Sequence, residues 1–185
     1  MRQSPLELWV AVGLMLAVTV VYVAVTSALN AAPAASSLFG HGIGILGFTL
    51  MLMTETLYSL RKRSCLARWG RPATWLRFHI VTGLVGPYMV LLHSSWKLNG
   101  LAAAAMLMTV IVVFSGIIGR YIYTRIPRGP AGEELTTAGM SPAALANARR
   151  LLATWHALHI PLGLVMFAVA FAHVGAALYY ATFLH

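Results

Sequence analysis

Apolar residues are concentrated in five long stretches of the chain, and short segments richer in charged residues, Pro, Gly or Ser separate them. Each stretch is close to the ~20 residues that an α-helix needs to cross the ~30 Å hydrocarbon core of a bilayer. The pattern predicts an all-α integral membrane bundle of five transmembrane helices within a single domain, residues 1–185. The predicted spans cover about residues 8–29, 38–60, 78–96, 101–123 and 151–180.

The first and the last predicted helices begin in different ways. The first apolar stretch exceeds the ~7 to 15 residues of a signal-peptide core and leads through a short turn straight into the second, so we expect a retained helix. Before the last stretch, Ser141 is a favourable N-cap residue and Pro142 is tolerated in the first helical position. The fifth helix is therefore expected to begin near Pro142, a few turns before it enters the bilayer.

The composition agrees with a membrane protein. Hydrophobic residues make up 59% of the chain and charged residues 9%, against roughly 45–50% and about 25% in soluble domains. This composition excludes a water-soluble globule. The formal net charge of +9 would suggest nucleic-acid binding if it covered a soluble surface, but the positions of the charges have a different explanation.

Positive residues cluster on one side of the predicted topology. Of the thirteen Lys and Arg residues, twelve lie in the N-terminal tail, in the loops 61–77 and 124–150, or about one turn from them, and only Lys97 lies elsewhere. Lys and Arg are retained on the cytoplasmic side of a membrane. We therefore predict that the N-terminus and both loops are cytoplasmic and the C-terminus periplasmic in a bacterial inner membrane, with no nucleic-acid partner.

The third and fifth predicted helices each carry two histidines fourteen residues apart, His79 with His93 and His159 with His173. Fourteen residues of α-helix rise ~21 Å and return to within ~40° of the same face. Ionisable residues inside a membrane are costly and are usually functional. The single cysteine, Cys65, excludes a Cys-rich metal site and covalent haem attachment, which leaves imidazole as the candidate ligand of a metal or cofactor.

One span separates the third helix from the fifth, so both are expected to run from inside to outside. His79 is then level with His159 near the cytoplasmic surface, and His93 is level with His173 near the outer surface. A level pair of imidazoles can bind a haem iron from both axial sides, which suits electron transfer better than oxygen binding. The spacing therefore predicts two haems, an inner one held by His79 and His159 and an outer one held by His93 and His173.

Small and basic residues near these histidines fit the same hypothesis. Gly83 and Gly86 remove bulk where a macrocycle would press on the helix, although small residues also let membrane helices approach one another. Arg77, Arg149 and Arg150 lie at the cytoplasmic level, where they can pair with the propionates of the inner haem. The positive-inside bias would place arginines there in any case.

With these two His pairs, the chain resembles the di-haem b-type membrane cytochromes, a group that includes ferric-reductase-like transmembrane domains, NADPH oxidase cores and the cytochrome b of quinol-oxidising complexes. The resemblance covers roughly residues 78–173 and implies two haem b groups and electron transfer across a membrane. It also implies a subunit of a larger redox system, with a quinol or a redox partner protein as donor or acceptor and a quinone as a further ligand. The chain lacks the flavin and NADPH modules of the longer reductases and contains no Pro-Glu-Trp-Tyr segment.

Two other classes of protein stay open. The histidines could line the path of a metal-ion or proton transporter without haem, although such proteins tend to carry several intramembrane acids and broken helices. Glu55 and Pro161 offer such features here. The second of these classes is a structural membrane subunit that binds haem merely to assemble a complex.

Further polar residues have more than one interpretation. His41 could bind a propionate, relay a proton, line a quinone site or form an interfacial hydrogen bond. His156 is a rival ligand for the inner haem, but its spacing to His173 turns it ~100° off the histidine stripe. Glu55 either pairs with Arg61 or its neighbours or transfers protons beside a quinone.

A glycine pattern in the second predicted helix has the form of a dinucleotide-binding fingerprint. The segment 42–47 reads G-x-G-x-x-G, but it lies in an apolar helix without a preceding strand or a βαβ context. Gly40 and Gly44 also form a small-x-x-x-small pair, which favours close helix packing.

Overall fold

The structure of the protein is a computed structural model, which describes residues 5–63, 72–126 and 141–183. Within these ranges the chain forms five α-helices. They are α1 (Leu6–Leu29), α2 (Leu38–Arg63), α3 (Pro72–His93), α4 (Gly100–Arg125) and α5 (Pro142–Phe183).

All five helices are long and apolar enough to cross a membrane. Many of their large hydrophobic side chains are exposed, among them Leu14, Leu107 and Phe171. Soluble proteins rarely expose extended apolar faces, whereas helices in lipid satisfy their backbone hydrogen bonds internally and present apolar side chains to acyl chains. The protein is therefore an all-helical integral membrane protein, as its sequence pattern predicts.

Helix α3 differs from its predicted span, whereas α5 begins where the sequence predicts. Helix α3 begins at Pro72 and ends at His93, because Ser95 and Trp96 adopt positive φ angles of 47° and 63° and turn the chain out of the helix. Helix α5 begins at Pro142, where the Ser141 hydroxyl accepts a hydrogen bond of 3.2 Å from the Ala144 amide. The predicted loops 61–77 and 124–150 are thus partly helical.

The chain divides into two compact units, an N-terminal unit of Arg2–Lys97 and a C-terminal unit that contains Leu98–His185. In the N-terminal unit, α3 packs against both α1 and α2. The Thr19 and Tyr88 hydroxyls share a hydrogen bond of 2.5 Å between α1 and α3. The core of this unit consists of Ala11, Ile43, Val85, Met89 and Leu92.

Glycines set the distance between α2 and α3. A Cβ placed on Gly47 would lie 2.8 Å from the carbonyl oxygen of Gly86, and one placed on Gly86 would lie 2.9 Å from the carbonyl oxygen of Gly47. Both distances are too short for real side chains, so only glycine permits this crossing. The segment 42–47 is helical, which agrees with helix packing and not with a nucleotide-binding loop.

In the C-terminal unit, α4 packs against α5. At one end of this pair, Ile126 is almost fully buried against Leu145, Ala148 and Leu152 from the first turns of α5. Further along, Gly119 of α4 lies directly under the indole ring of Trp155. A small residue on α4 therefore accommodates the largest side chain on the facing surface of α5.

Candidate functional site: intramembrane histidines

The His79 ring lies near the start of α3 and is half-buried against α2. Its Nδ1 atom is 3.2 Å from the main-chain oxygen of Thr54. Because a carbonyl oxygen only accepts hydrogen bonds, this contact requires the imidazole proton on Nδ1. The same turn of α2 is tied to α3 by a 2.7 Å hydrogen bond between the hydroxyls of Thr54 and Thr82. His79 is thus held where two helices are already joined by polar contacts.

The His93 ring at the end of α3 has a similar environment. Its Nδ1 atom is 2.8 Å from the main-chain oxygen of Gly40 in α2, so Nδ1 again carries the proton. Gly44 lies one turn further along α2, and a Cβ there would be only 2.7 Å from Nδ1 of His93. In the Gly40–Gly44 pair, which predicts close helix packing, Gly44 therefore makes room for an imidazole and Gly40 supplies its hydrogen-bond acceptor.

The His159 ring of α5 faces α4. Its Nδ1 atom is 3.0 Å from the Ser115 hydroxyl oxygen. The Trp155 ring stacks on it, with ring centroids 4.7 Å apart and planes 24° from parallel. The Trp155 indole N–H in turn donates a 2.7 Å hydrogen bond to the main-chain oxygen of Ser115. Ser115 and Trp155 together fix the position of this imidazole.

The remaining predicted site residues lie as follows. His173 is half-buried on α5, while the Arg77, Arg149 and Arg150 side chains are exposed. A Cβ on Gly83 would lie 3.5 Å from the Thr54 side chain, and Gly86 packs against Gly47 as described above. Both glycines therefore face α2.

The predicted axial pairs combine residues of the two compact units. His79 and His93 belong to the N-terminal unit, whereas His159 and His173 belong to the C-terminal unit. The level pairing of these histidines stays a prediction.

Three further polar residues were considered from the sequence. His41 is exposed, its Nδ1 lies 3.3 Å from the main-chain oxygen of Ser37, and its ring centroid is 6.4 Å from that of His93. His156 lies beside Trp155, at a centroid distance of 4.7 Å. Glu55 is half-buried on α2 and follows Thr54 in the chain.

Sequence reasoning did not find Ser115 or Trp155. The available signal was a pair of i, i+4 patterns on facing helices, Ser115 with Gly119 on α4 and Trp155 with His159 on α5. Side chains four residues apart share one helix face. The pattern becomes informative only when it is known which faces of α4 and α5 contact each other.

Among residues 5–63, 72–126 and 141–183, no three His, Cys, Asp or Glu side chains form a group that could hold a metal ion. A comparison of the whole chain with protein-family models, curated proteins and solved structures gives no significant match. The fold and these contacts define a helical integral membrane protein in which neighbouring helices hold intramembrane imidazoles through Nδ1.

Proposed function

We propose that the protein is a di-haem b-type membrane cytochrome that carries electrons across the bilayer. The inner haem would be bound by His79 and His159, and the outer haem by His93 and His173. The observation that carries the proposal is the contact between Nδ1 of each α3 histidine and a main-chain oxygen of α2, 3.2 Å for His79 and 2.8 Å for His93.

The protonation of these rings suits metal ligation. A neutral imidazole with its proton on Nδ1 carries its lone pair on Nε2. Metal-binding histidines almost always donate their other N–H to a carbonyl, a carboxylate or water, which fixes the ring orientation and makes the ligating nitrogen more basic. The two α3 histidines, one near each end of the span, meet this condition, and Ser115 offers His159 a similar partner.

Residues of α2 and Ser115 of α4 would hold the imidazole ligands in place. The haems would supply a one-electron redox couple at each level of the membrane. With two histidines bound to each iron, the haems would supply electron transfer and not chemistry on a bound substrate. The α2–α3 glycine crossing and the Thr54–Thr82 hydrogen bond keep the α3 imidazoles in place.

The exposed basic residues support the proposal that the inner haem lies near the cytoplasmic surface. Arg77, Arg149 and Arg150 would stabilise propionates of the inner haem, and their bias toward one side supports a bacterial inner membrane with a cytoplasmic N-terminus. A quinol or a redox partner protein would exchange electrons with the haems, and the chain would act as the membrane subunit of a larger complex. His41, near His93 and exposed, is the candidate contact for a quinone or an outer propionate.

Absorption spectra of the purified protein, oxidised and dithionite-reduced, test this proposal. We expect two haems per chain in the wild type and one in His93→Ala. The matched variant His156→Ala should keep both haems, because its side chain is off the ligand stripe. A colourless wild-type preparation, or the loss of a haem in His156→Ala with none lost in His159→Ala, would contradict the assignment. Bound zinc in a colourless protein would favour the metal transporter.

A further inference from the structure

Ser115 connects α4 to α5 through both its side chain and its main chain. Its hydroxyl oxygen is 3.0 Å from Nδ1 of His159, and its carbonyl oxygen accepts a 2.7 Å hydrogen bond from the Trp155 indole N–H. Trp155 stacks on His159 at 4.7 Å. These three residues therefore form a closed set, in which each contacts the other two.

Small residues on α4 make this arrangement possible. Any Cβ on Gly119 would overlap the six-membered ring of the Trp155 indole, so a larger residue would push the indole out of its place. Gly116, one position after Ser115, would bring a Cβ to 3.7 Å from Cε1 of His159, which is an ordinary van der Waals contact. The tight fit is thus specific to Trp155.

We infer that Trp155 and Ser115 are positioning residues for His159, with Trp155 fixing the plane of the imidazole and the Ser115 hydroxyl accepting a hydrogen bond from Nδ1–H when Nε2 binds iron. The inference rests on the proposed function, because it assigns these residues to the inner haem ligand. Neither residue ligates iron. Both would act through His159 by keeping Nε2 as the ligating nitrogen and by limiting rotation of the ring.

The two residues would affect different properties of the ligand. A hydrogen-bond acceptor at Nδ1 increases the basicity of the imidazole, and a more basic axial ligand stabilises the oxidised iron relative to the reduced iron. Removing the Ser115 hydroxyl should therefore raise the midpoint potential of the inner haem. Removing the Trp155 stack should instead allow the His159 ring to rotate about its side-chain bonds.

The experiment compares purified holoproteins by redox titration and by electron paramagnetic resonance. In Ser115→Ala we expect both haems to be retained, with an upward shift in the midpoint potential of one haem. Ser115→Thr, which keeps a hydroxyl, should restore the wild-type potential. Thr109→Val is the matched control, because the Thr109 hydroxyl contacts only Ala105 of its own helix among the hydrogen bonds described, and it should leave both potentials unchanged.

The stacking interaction is tested by Trp155→Phe and Gly119→Ala. We expect both variants to shift the resonance of the same haem that Ser115→Ala affects. Gly119→Ala should do so although it leaves Ser115, Trp155 and His159 themselves unsubstituted. Trp9→Phe and Gly13→Ala are the controls, because Trp9 is exposed and a Cβ on Gly13 meets nothing within 4 Å. Neither should alter the resonance of either haem.

A readout independent of haem is the indole N–H band in ultraviolet resonance Raman spectra. The difference between wild type and Trp155→Phe should show a strongly hydrogen-bonded indole, and the difference for Trp9→Phe should not. A wild type with two haems whose potentials and resonances are unchanged in Ser115→Ala, Trp155→Phe and Gly119→Ala would overturn the inference and leave the proposed function intact. A wild type without haem would overturn the proposed function instead.

Discussion

Two glycines one turn apart on α2 position the His93 ring in the N-terminal unit. Gly40 supplies the carbonyl oxygen that binds Nδ1 at 2.8 Å, and Gly44 leaves the space that the ring occupies. His79 has a comparable carbonyl partner on Thr54, but the hydroxyls of Thr54 and Thr82, and not a pair of glycines, lie beside it. The two ends of α3 therefore hold their histidines in different ways.

Gly44→Ala tests the space beside His93. The added Cβ would lie 2.7 Å from Nδ1, so the ring must move and lose its hydrogen bond to Gly40. We expect haem content to fall from two per chain toward one, as measured by pyridine haemochrome spectra.

Gly42→Ala is the control for Gly44→Ala, because a Cβ on Gly42 meets nothing within 4 Å. Replacing a helical Gly by Ala there should stabilise the helix by about 0.5–1 kcal/mol and leave both haems in place. Equal haem content in the two variants would show that the Gly44 contact does not matter for the outer site.

At the scale of single helices, α5 extends well beyond what a bilayer requires. Its 42 residues correspond to ~63 Å, about twice the ~30 Å hydrocarbon thickness. The first turns of the helix are held by the Ser141 cap and by the contact of Leu145 and Ala148 with Ile126. These two interactions therefore stabilise the segment of α5 that the sequence predicts to precede the membrane.

Ser141→Ala removes the cap from the start of α5. Loss of an N-cap costs about 0.5–2 kcal/mol, and ~1 kcal/mol corresponds to roughly fivefold faster local opening. We expect hydrogen–deuterium exchange to accelerate by about that factor in residues 142–148, with no change in α4. Ser141→Asp, which can cap and carries a charge favourable at a helix N-terminus, should show protection equal to or above that of the wild type.

At the scale of the whole molecule, the distribution of positive charge predicts the orientation in the membrane. The segment 31–37 contains no Lys or Arg, whereas the loop 61–77 contains six. Cys65 lies in that loop, outside the described residues, and is the only cysteine in the chain. Its accessibility to reagents on either side of the membrane therefore reports the orientation.

A membrane-impermeant maleimide applied to intact spheroplasts tests this orientation. We expect Cys65 to react only after the membrane is permeabilised. The variant Ala32→Cys in a Cys65→Ser background should react before permeabilisation, because Ala32 is exposed and lies in the segment predicted to be periplasmic. Labelling of Cys65 in intact spheroplasts would reverse the predicted topology.

Particular residues show how far the sequence predicts this protein. The start of α5 at Ser141 and Pro142 follows from local capping chemistry and is confirmed. The end of α3 at His93 does not follow from hydrophobicity, because Trp96 is apolar yet adopts a positive φ. The fourteen-residue histidine spacing predicts one imidazole near each membrane surface, and on α3 His79 lies about two turns after the first residue while His93 is the last residue.

The five membrane helices could be predicted from the amino-acid sequence, because length and local apolar composition decide whether a segment is stable in lipid. Which oxygen atom each imidazole meets, as with Gly40 for His93 and Ser115 for His159, depends on the packing of the helices. This difference arises because lipid and neighbouring helices are equally apolar. The hydrophobic pattern of a membrane helix therefore does not distinguish its packed face from its lipid face, and helix rotation and depth depend on the close fit of side chains between helices.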